Sequence, residues 1–479
     1  MTNPFDIIVI GGGPAGVTAA LRARELGASV ALVERGAMGG TCTNDGCAPT
    51  RVLAKAARLV RDAEQFANYG LRASRPEVDF AALIDRTQGI IQELHAKKDL
   101  INHLAQSDVQ VYAGAGEARF IDPHQLLLGD GSQLQGQQFI ICAGGKARRL
   151  DFPGSEHTLT NSDVWAMRAL PRSMTIIGGS ATGCQLATIF NAFGTNVTLL
   201  DLAPRLLPPE DEQLAQVLSE AFRQRGIKII TGIGGVKRIE RNAGELQLYY
   251  SHGGEEQQLD ADVILLAVGW LGNLDTLDLA AAGVATERNY IKVDATLRTS
   301  QAHIFAAGDI TGRMMLVQGA SDEARAAAQN AVLGRKRAHE HRVVPHGGFT
   351  DPEYGSVGLT EAAAREQHDV VVATVHYADL DRALIDGRSE GFCKLIVSRE
   401  SHGLLGAHVV GEQAVEIVHI VAALMQAHST IERLAQLEIA YPTFAAVVGL
   451  AARQISRELG STPLAVPVGQ FKAAEWELG

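Results

Sequence analysis

The sequence predicts an α/β protein with two three-layer domains of one type, followed by a smaller α+β domain. Two stretches repeat one pattern, in which a short apolar strand leads through glycines into a helix and then a second strand. From about His346 the pattern changes to the alternation that is typical of antiparallel strands. The chain has 479 residues, enough for about three domains. We place the first domain at 1–150, the second at 151–272, a return to the first at 273–345, and the last at 346–479.

The composition narrows the classes of function. A net charge of −11 argues against binding to the phosphates of nucleic acids. Five cysteines are too few for a secreted disulfide framework, so we expect a cytoplasmic protein with a few functional thiols. Residues 2–5 lead directly into an apolar strand, which predicts no signal peptide. The longest apolar run contains Glu416 and His419, which predicts no membrane span.

The first repeat is typical of a Rossmann-like dinucleotide-binding unit. Its strand is predicted at 6–10, its helix at 17–26 and its second strand at 29–33. Glycines between strand and helix allow a tight turn and let a pyrophosphate approach the helix N-terminus. Glu34 follows the second strand, where a carboxylate can accept hydrogen bonds from ribose hydroxyls. The motif glycines are Gly11, Gly13 and Gly16.

The second repeat begins 167 residues after the first, counted from Gly11 to Gly178. Its strands are predicted at 173–177 and 196–200, with a helix between them that extends to Phe193. A serine at the middle motif position keeps a small residue where the backbone must approach a phosphate. The motif residues are Gly178, Ser180 and Gly183.

The acid at the end of the second repeat indicates which nucleotide it binds. Asp201 would bind a ribose 2′-hydroxyl and repel a 2′-phosphate. Arg205 is the nearby cation that could accommodate such a phosphate. Two dinucleotides are therefore predicted, with NADH favoured over NADPH at the second site.

Further segments complete the pattern. Asp309 is well placed to bind a cofactor hydroxyl, although a helix cap together with Thr311 is the alternative. A helix is predicted at 321–332 with Ser321 as its N-cap. The tail after Gly460 has no periodicity and is either a strap on a partner surface or poorly ordered. Strands are also predicted at 139–145, 263–269, 303–309, 370–377 and 392–397, and helices at 414–427, 431–436 and 447–459.

Cys42 and Cys47 are separated by four residues and precede Pro49 and a helix predicted at 51–59. The spacing is close to one helical turn, so the two sulfurs can approach if Gly46 loosens that turn. A disulfide across so short a loop would constrain the unfolded chain little, and redox chemistry explains the pair better than stability does. Taken alone, the pair could also be two small buried residues.

The order of these motifs resembles that of the flavin-dependent pyridine nucleotide-disulfide oxidoreductases, the class that includes dihydrolipoamide dehydrogenase, glutathione reductase and mercuric reductase. The resemblance extends from Asp6 to about Glu458. It implies FAD on the first repeat, NAD(P)H on the second, and a homodimer formed by the last domain. It also implies a redox disulfide between Cys42 and Cys47, in which Cys47 is the thiolate beside the flavin and Cys42 attacks the acceptor.

The resemblance also assigns contacts to the cofactors. For NAD(P)H they are Gly178, Ser180, Gly183, Asp201 and Gly269. For FAD they are Gly11, Gly13, Pro14, Ala15, Gly16, Glu34, Arg35, Gly40, Thr41, Arg51, Gly116, Gly144 and Asp309.

Several positions depart from the family's pattern. The usual lysine is Arg51 and its glutamate partner is Gln185, so the charge is expected to lack its counter-ion. The tyrosine that often gates the nicotinamide is Ala181, which implies an open pocket. Trp270 replaces an arginine, and either stacks on a cofactor or fills a core.

The largest departure concerns acid-base chemistry. The family's histidine is Tyr441 here, and the glutamate that holds it is Ala446. A phenol with a pKa near ~10 is a poor proton shuttle at neutral pH, so disulfide substrates should turn over about 10²- to 10⁴-fold more slowly. Mercuric reductases are similar in having a tyrosine here. They also carry a C-terminal cysteine pair, which this sequence lacks, so a metal ion would have to reach Cys42 and Cys47 directly.

We therefore predict an FAD-dependent NAD(P)H oxidoreductase with Cys42, Cys47 and Tyr441 as catalytic residues and Hg(II) or another soft metal ion as the leading acceptor. The alternatives are a disulfide reductase with a non-standard acid-base group, a flavin-only reductase of quinones or oxygen, and a redox-sensing binding protein. His419 and three other cysteines are predicted to be core residues, and no resident metal site is predicted. Those cysteines are Cys142, Cys184 and Cys393.

Overall fold

A computed structural model describes residues 4–242 and 244–461. It confirms the predicted fold class, with two three-layer α/β domains and a C-terminal α+β domain. The domain boundaries given above stay predictions. The tail beyond residue 461, about which two alternatives were open, lies outside the described residues.

The first domain is built on a seven-stranded sheet. Its central strands are buried on both faces, because helices cover one face and other chain segments the opposite face. The antiparallel ribbon Ala118–Asp122 and Gln125–Leu128 extends one edge. The five parallel strands run in the order Val109–Ala113, Val30–Glu34, Phe5–Ile10, Gln133–Ile141 and Ile304–Ala306.

Two helices, Pro14–Glu25 and Val317–Leu333, pack together over this sheet through buried alanines. Small side chains such as Ala20 and Ala327 let the helix backbones approach closely. The second helix begins four residues before the prediction, so Ser321 lies within it and is not its N-cap. The helix starts early because Ala320, one residue before the expected start, packs in the same core as the other buried alanines of the helix.

The second domain contains a five-stranded parallel sheet and an antiparallel three-stranded sheet. Its strands 173–177 and 196–200 have the predicted bounds. The helices are Ala181–Ala192 and Glu212–Gln224. The parallel strands run in the order Lys228–Ile230, Asn196–Leu200, Ser173–Ile177, Val263–Leu266 and Leu159–Thr160; the antiparallel strands are Gly235–Asn242, Glu245–His252 and Glu255–Ala261.

The C-terminal domain has a five-stranded antiparallel sheet covered by helices. The strand order is His346–Gly348, Tyr354–Gly358, Leu404–Val410, Phe392–Ser398 and Val370–His376. Its helices are Glu361–Gln367, Asp381–Ile385, Ala414–Gln426, Ile431–Ala435 and Ala446–Glu458. The remaining α-helices of the described residues are Gly40–Asn44, Cys47–Ala63, Phe80–Lys98 and Leu100–Gln106. Two short ribbons pair Gly145–Ala147 with Trp270–Gly272 and Thr286–Glu287 with Tyr290–Ile291.

Buried charges join the second domain to the C-terminal sheet. Lys394, on the strand Phe392–Ser398, donates to Asp211 at 2.8 Å and to Glu361 at 2.9 Å. Asp211 also caps the helix Glu212–Gln224. Since breaking one partner of such a group leaves a buried charge unpaired, the contact fixes how the two domains meet.

Every helix within residues 4–242 and 244–461 is too short or too polar to cross a bilayer.

Candidate active site

A cleft of about 1310 Å³ lies between the domains and is lined by the first glycine motif, the cysteine pair and the start of the helix after the second motif. Four helices of at least 12 residues have their first residue at its wall, and none of the four has a side-chain hydrogen bond at its N-cap. Their first N–H groups therefore give the cleft a positive electrostatic character that suits anionic groups. The helices are Pro14–Glu25, Cys47–Ala63, Ala181–Ala192 and Val317–Leu333.

The residues of the first motif fit a dinucleotide. A Cβ on Gly11, whose φ is +110°, would lie 2.3 Å from the Cys142 carbonyl oxygen, and a Cβ on Gly16 would lie 1.7 Å from the Gly11 carbonyl oxygen. Only glycine allows these approaches, which keep the turn open for phosphates. The Glu34 carboxylate accepts from the N–H of Gly12 at 2.6 Å and of Gly36 at 2.7 Å, which holds it at the cleft wall.

Most residues assigned to the flavin lie together. Gly16 packs against the strand instead of lining the cleft, as its contacts require. Gly116 lines a small adjoining pocket that shares Gly11, Glu34 and Arg35 with the cleft. The assigned residues that line the cleft itself are Gly11, Gly13, Pro14, Ala15, Glu34, Arg35, Gly40, Thr41, Gly144 and Asp309.

Arg51 differs from expectation in two ways. It does not line the cleft, and its guanidinium pairs with Glu353 at 3.0 Å while stacking 4.6 Å from the centre of the Phe349 ring. The expectation that its charge lacks a counter-ion is therefore wrong. The counter-ion comes from the C-terminal domain, and Gln185, at the position of the family's glutamate, instead accepts from the Phe349 N–H at 3.1 Å.

The second motif repeats the geometry of the first. The Asp201 carboxylate accepts from the N–H groups of Gly179 and Ala203, as Glu34 does in the first domain. Arg205 donates to the carbonyl oxygens of Leu207, Pro208 and Glu210 at 2.8 to 2.9 Å, so its guanidinium is committed to its own loop. The assigned residues Gly178, Ser180, Gly183, Asp201 and Gly269 do not line the cleft, whereas Ala181, Gln185 and Trp270 do.

Trp270 is half-buried at the cleft and belongs to none of the core clusters of the described chain. Its carbonyl accepts from the Tyr290 hydroxyl at 2.6 Å, which holds the short strand in place. The core alternative for Trp270 is thus not observed, and the position favours stacking on a ligand.

Both cysteines of the pair face the cleft as free thiols. Cys42 lies in the short helix Gly40–Asn44, and Cys47 is the first residue of the helix Cys47–Ala63. This helix begins earlier than the predicted 51–59, because Pro49 falls in its first turn, where a missing N–H breaks no helical hydrogen bond. Cys47 is exposed and Cys42 is half-buried, so the interpretation as two buried residues is wrong.

The surroundings separate the two thiols electrostatically. A hydrogen bond from Cys42 lowers the pKa of Cys47 to about 7, aided by the Cys47 backbone N–H and opposed by partial loss of solvent around the sulfur and by Asp309. The same hydrogen bond raises the pKa of Cys42, and burial adds to the effect. At neutral pH Cys47 is therefore about half ionised, while Cys42 keeps its proton.

Some residues at the site were missed by the sequence analysis. Lys98 ends the helix Phe80–Lys98, donates to Thr43 at 2.9 Å and acts to lower the pKa of Cys42. His419 is exposed and lines the cleft, contrary to the expectation of a core residue, because it projects from the uncovered face of the helix Ala414–Gln426. For Lys98 no local signal exists, since its partner is 55 residues away.

Tyr441 does not line the cleft of its own chain. It is 62% exposed, and its hydroxyl donates to Asp381 at 2.6 Å. A catalytic role for Tyr441 stays a prediction. The other three cysteines are buried as expected, and burial raises the pKa of each thiol; they are Cys142, Cys184 and Cys393.

Comparison with known proteins agrees with this geometry. The family model described as pyridine nucleotide-disulphide oxidoreductase matches residues 5–324, and the model of that family's dimerisation domain matches residues 344–452. Enzymes of this family depend on FAD and a pyridine nucleotide.

Individual relatives include both metal-ion and disulfide reductases. The mercuric reductase of Staphylococcus aureus is 32% identical over 461 residues, which cover 95% of this chain and 83% of that protein. The dihydrolipoyl dehydrogenase of Chlorobaculum parvum is 33% identical, over 94% of this chain and 96% of that protein. Among solved structures, the Cu(II) complex of the HOCl-induced flavoprotein disulfide reductase RclA from Escherichia coli has a TM-score of 0.84 and 28% identity, over 95% of this chain and 100% of that chain.

The thiol pair gives a direct prediction about pH. In the reduced FAD-loaded protein, the rate of Cys47 alkylation by iodoacetamide should rise with a midpoint near pH 7, because the hydrogen bond from Cys42 lowers its pKa. Replacing the donor, as in C42A, should move the midpoint toward the ordinary value of about 8.5. Mass spectrometry of the labelled peptide assigns the reaction to Cys47, and an unchanged midpoint in C42A would contradict the role of the hydrogen bond.

Proposed function

This chain belongs to the pyridine nucleotide-disulphide oxidoreductase family, and within it we propose a homodimeric cytoplasmic enzyme that uses NADH to reduce a soft metal ion at Cys42 and Cys47. The coarser activity, an FAD-dependent NAD(P)H oxidoreductase, follows from the family. The choice of acceptor rests on one observation about the sequence. Tyr441 stands at the position where the resemblance implies the acid-base histidine of the family's disulfide reductases. The lowered pKa of Cys47 supplies a thiolate beside a protonated Cys42.

A tyrosine at this position matters because disulfide and metal-ion acceptors differ in their demand for protons. A disulfide substrate leaves as thiolates that must be protonated, and a positioned acid typically contributes about 10²- to 10⁴-fold. A metal ion that accepts electrons needs no such proton. Thiolate sulfur also prefers soft metal ions, which supports Hg(II) or copper as the acceptor.

The proposed chemistry assigns a task to each group of residues. When bound, FAD would accept a hydride from the nicotinamide and supply an electron pair to the cysteines. The first motif, with Glu34, would hold its adenosine and pyrophosphate portions, and Asp309 its ribityl chain. Cys47 holds negative charge at the helix N-terminus, and Cys42, nearer to Lys98, would lose its proton as the metal ion binds. Hg(II) would take two electrons from the two thiolates to give Hg(0), and the cysteines would return to the disulfide that the electron pair from the flavin had reduced.

The relatives support this acceptor class without deciding it. One similar enzyme is named a mercuric reductase, and one similar structure is described as a Cu(II) complex of a flavoprotein disulfide reductase. Other relatives are named dihydrolipoyl dehydrogenases, so a disulfide substrate is the second candidate. His419 favours that candidate, because it places an imidazole on the wall of the same cleft.

Anaerobic stopped-flow spectroscopy distinguishes the acceptors. After reduction by NADH, the flavin absorbance should be restored by Hg(II) or Cu(II) at least about 10²-fold faster than by lipoamide or glutathione disulfide. C42S and C47S should both lose the metal-dependent step, because each removes one of the two thiols.

Other outcomes of this experiment would identify the alternatives. Fast reoxidation by a disulfide would mean that another group, with His419 first among the candidates, replaces the missing acid. Quinone turnover that is unchanged in C47S, without reduction of metal ions, would indicate a flavin-only reductase. Turnover well below ~0.1 per second with every acceptor would indicate a redox-sensing binding protein.

The nucleotide preference is tested separately. Asp201 would repel a 2′-phosphate, and Arg205 is committed to loop carbonyls, so kcat/KM for NADH should exceed that for NADPH by about tenfold or more. D201N should narrow this ratio by lowering the KM for NADPH. The exposed D260N variant, on the outer three-stranded sheet, is the charge-matched control. Equal kcat/KM values for the two nucleotides in the native enzyme would contradict the NADH assignment.

We propose further that Tyr441 acts on the thiols of the partner subunit. Within its own chain it is exposed and lies away from the cleft, on the domain that matches the family's dimerisation model. Y441F should lower metal-dependent turnover by about tenfold, the cost of one hydrogen bond to a charged group. Quinone reduction should be unaffected.

Hybrid dimers test the arrangement across subunits. Mixed C47S and Y441F subunits should regain about half of the native activity, because one of the two sites then combines an intact cysteine pair with an intact tyrosine. Hybrids no more active than the parent variants would show that Tyr441 does not act across the interface.

A further inference from the structure

We propose that Asp322, His339 and His341 form a binding site for a divalent first-row transition-metal ion, represented by Zn(II), that is separate from the cysteine pair. One potential ligand atom from each of the three residues lies within 4.8 Å of the others. The sequence analysis predicted no resident metal site, and this inference is independent of the proposed acceptor.

The three side chains come from two segments that the fold brings together. Asp322 lies on the second turn of the helix Val317–Leu333, and the two histidines lie on the connecting segment that follows it. The imidazole rings are 4.6 Å apart between centroids and nearly perpendicular, at 81°. The side chain of His339 is 8% exposed and that of His341 is 11% exposed, whereas Asp322 is 56% exposed. The site is therefore walled by imidazoles and open to solvent on the carboxylate side.

The contact between His339 and Asp322 indicates which ring nitrogen can bind an ion. His339 Nε2 lies 2.9 Å from the Asp322 carboxylate, while its Nδ1 is buried and has no hydrogen-bond partner among the described residues. Because Nε2 and the carboxylate oxygen lie side by side, one ion can take a lone pair from each of them in place of their hydrogen bond. Nδ1 lies on the opposite side of the ring and would keep the ring proton.

The residues behind the site provide the second layer that metal sites usually have. His341 Nε2 contacts Glu323 at 2.9 Å. Glu323 is fully buried, accepts from the Gly308 N–H at 2.8 Å and lies 3.4 Å from the Arg313 guanidinium. A carboxylate fixed in this way sets the orientation and tautomer of the imidazole, as partners of metal-binding histidines do.

The donor set selects the class of ion. Two imidazoles and one carboxylate suit borderline ions such as Zn(II), Cu(II) and Ni(II), while Mg(II) and Ca(II) prefer sites built from oxygen alone. A bound ion would tie the segment that enters the C-terminal domain to the helix whose N-terminus lies at the cleft. Asp322 and His341 also line that cleft, so the site faces the same solvent space as the cysteine pair.

Equilibrium dialysis of the full-length FAD-loaded protein against buffered Zn(II) tests the site. A C42S/C47S background removes binding by the redox thiols. This background should bind one Zn(II) per chain, and Zn(II) should raise its Tm. H339Q on the same background should bind at least about tenfold more weakly and should lose the Tm increase.

Two further variants make the outcome decisive. H368Q replaces an exposed histidine at the end of the helix Glu361–Gln367 and should bind Zn(II) like the background protein. D322N changes an exposed ligand, so it tests the site without disturbing the buried ring if H339Q fails to fold. Less than one Zn(II) per chain in the background, or unchanged affinity in both H339Q and D322N, would overturn the proposal.

Discussion

The convergence of four helix N-termini on one cleft is the constraint on which the rest of this structure depends. None of these helices has a side-chain cap, so their first N–H groups are left for ligands and for the chain's own anions. Cys47 shows one consequence within the chain, because its own N–H at such a terminus adds to the hydrogen bond from Cys42 in lowering its pKa. Gly11 and Gly16 also help to keep the cleft open for a ligand, because they allow close backbone contacts that any side chain would block.

The walls of the cleft come from different domains and are held by buried polar contacts. Glu210, next to Asp211 on the second domain, accepts from Ser356 at 2.7 Å and contacts His346 at 3.0 Å on the C-terminal sheet. The hydrogen bond from His346 opposes the effect of burial and keeps the pKa of Glu210 below its usual range. With Lys394 between Asp211 and Glu361, these contacts fix one orientation of the domains, which apolar packing alone would specify less tightly.

Much of the fold could be predicted from the sequence, because its signals are local. The strands 173–177 and 196–200 have their predicted bounds, and nearly all residues assigned to the flavin from the first motif line one cleft. Two helix starts were missed, since tertiary packing at Ala320 and the tolerance of the first turn for Pro49 outweighed local cap preferences. Contacts between distant segments could not be predicted from the local sequence. Arg51 and Glu353, for example, are 302 residues apart. The proposed metal site of Asp322, His339 and His341 shows in the local sequence only as two histidines separated by one residue.

The location of Tyr441 bears on how one scaffold can serve different acceptors. The cysteine pair and both glycine motifs, which the proposed electron transfer uses, lie within the segment that matches the family's main model. The resemblance implies that the family's disulfide reductases carry their acid-base histidine at the position of Tyr441. This position lies in the segment that matches the dimerisation model. Because the two functions lie on different domains, substitution of the acid-base residue leaves the thiol pair and its lowered pKa intact. A chain with a tyrosine at this position thus keeps both thiols, which is the physical basis of the proposed preference for acceptors that take electrons without protons.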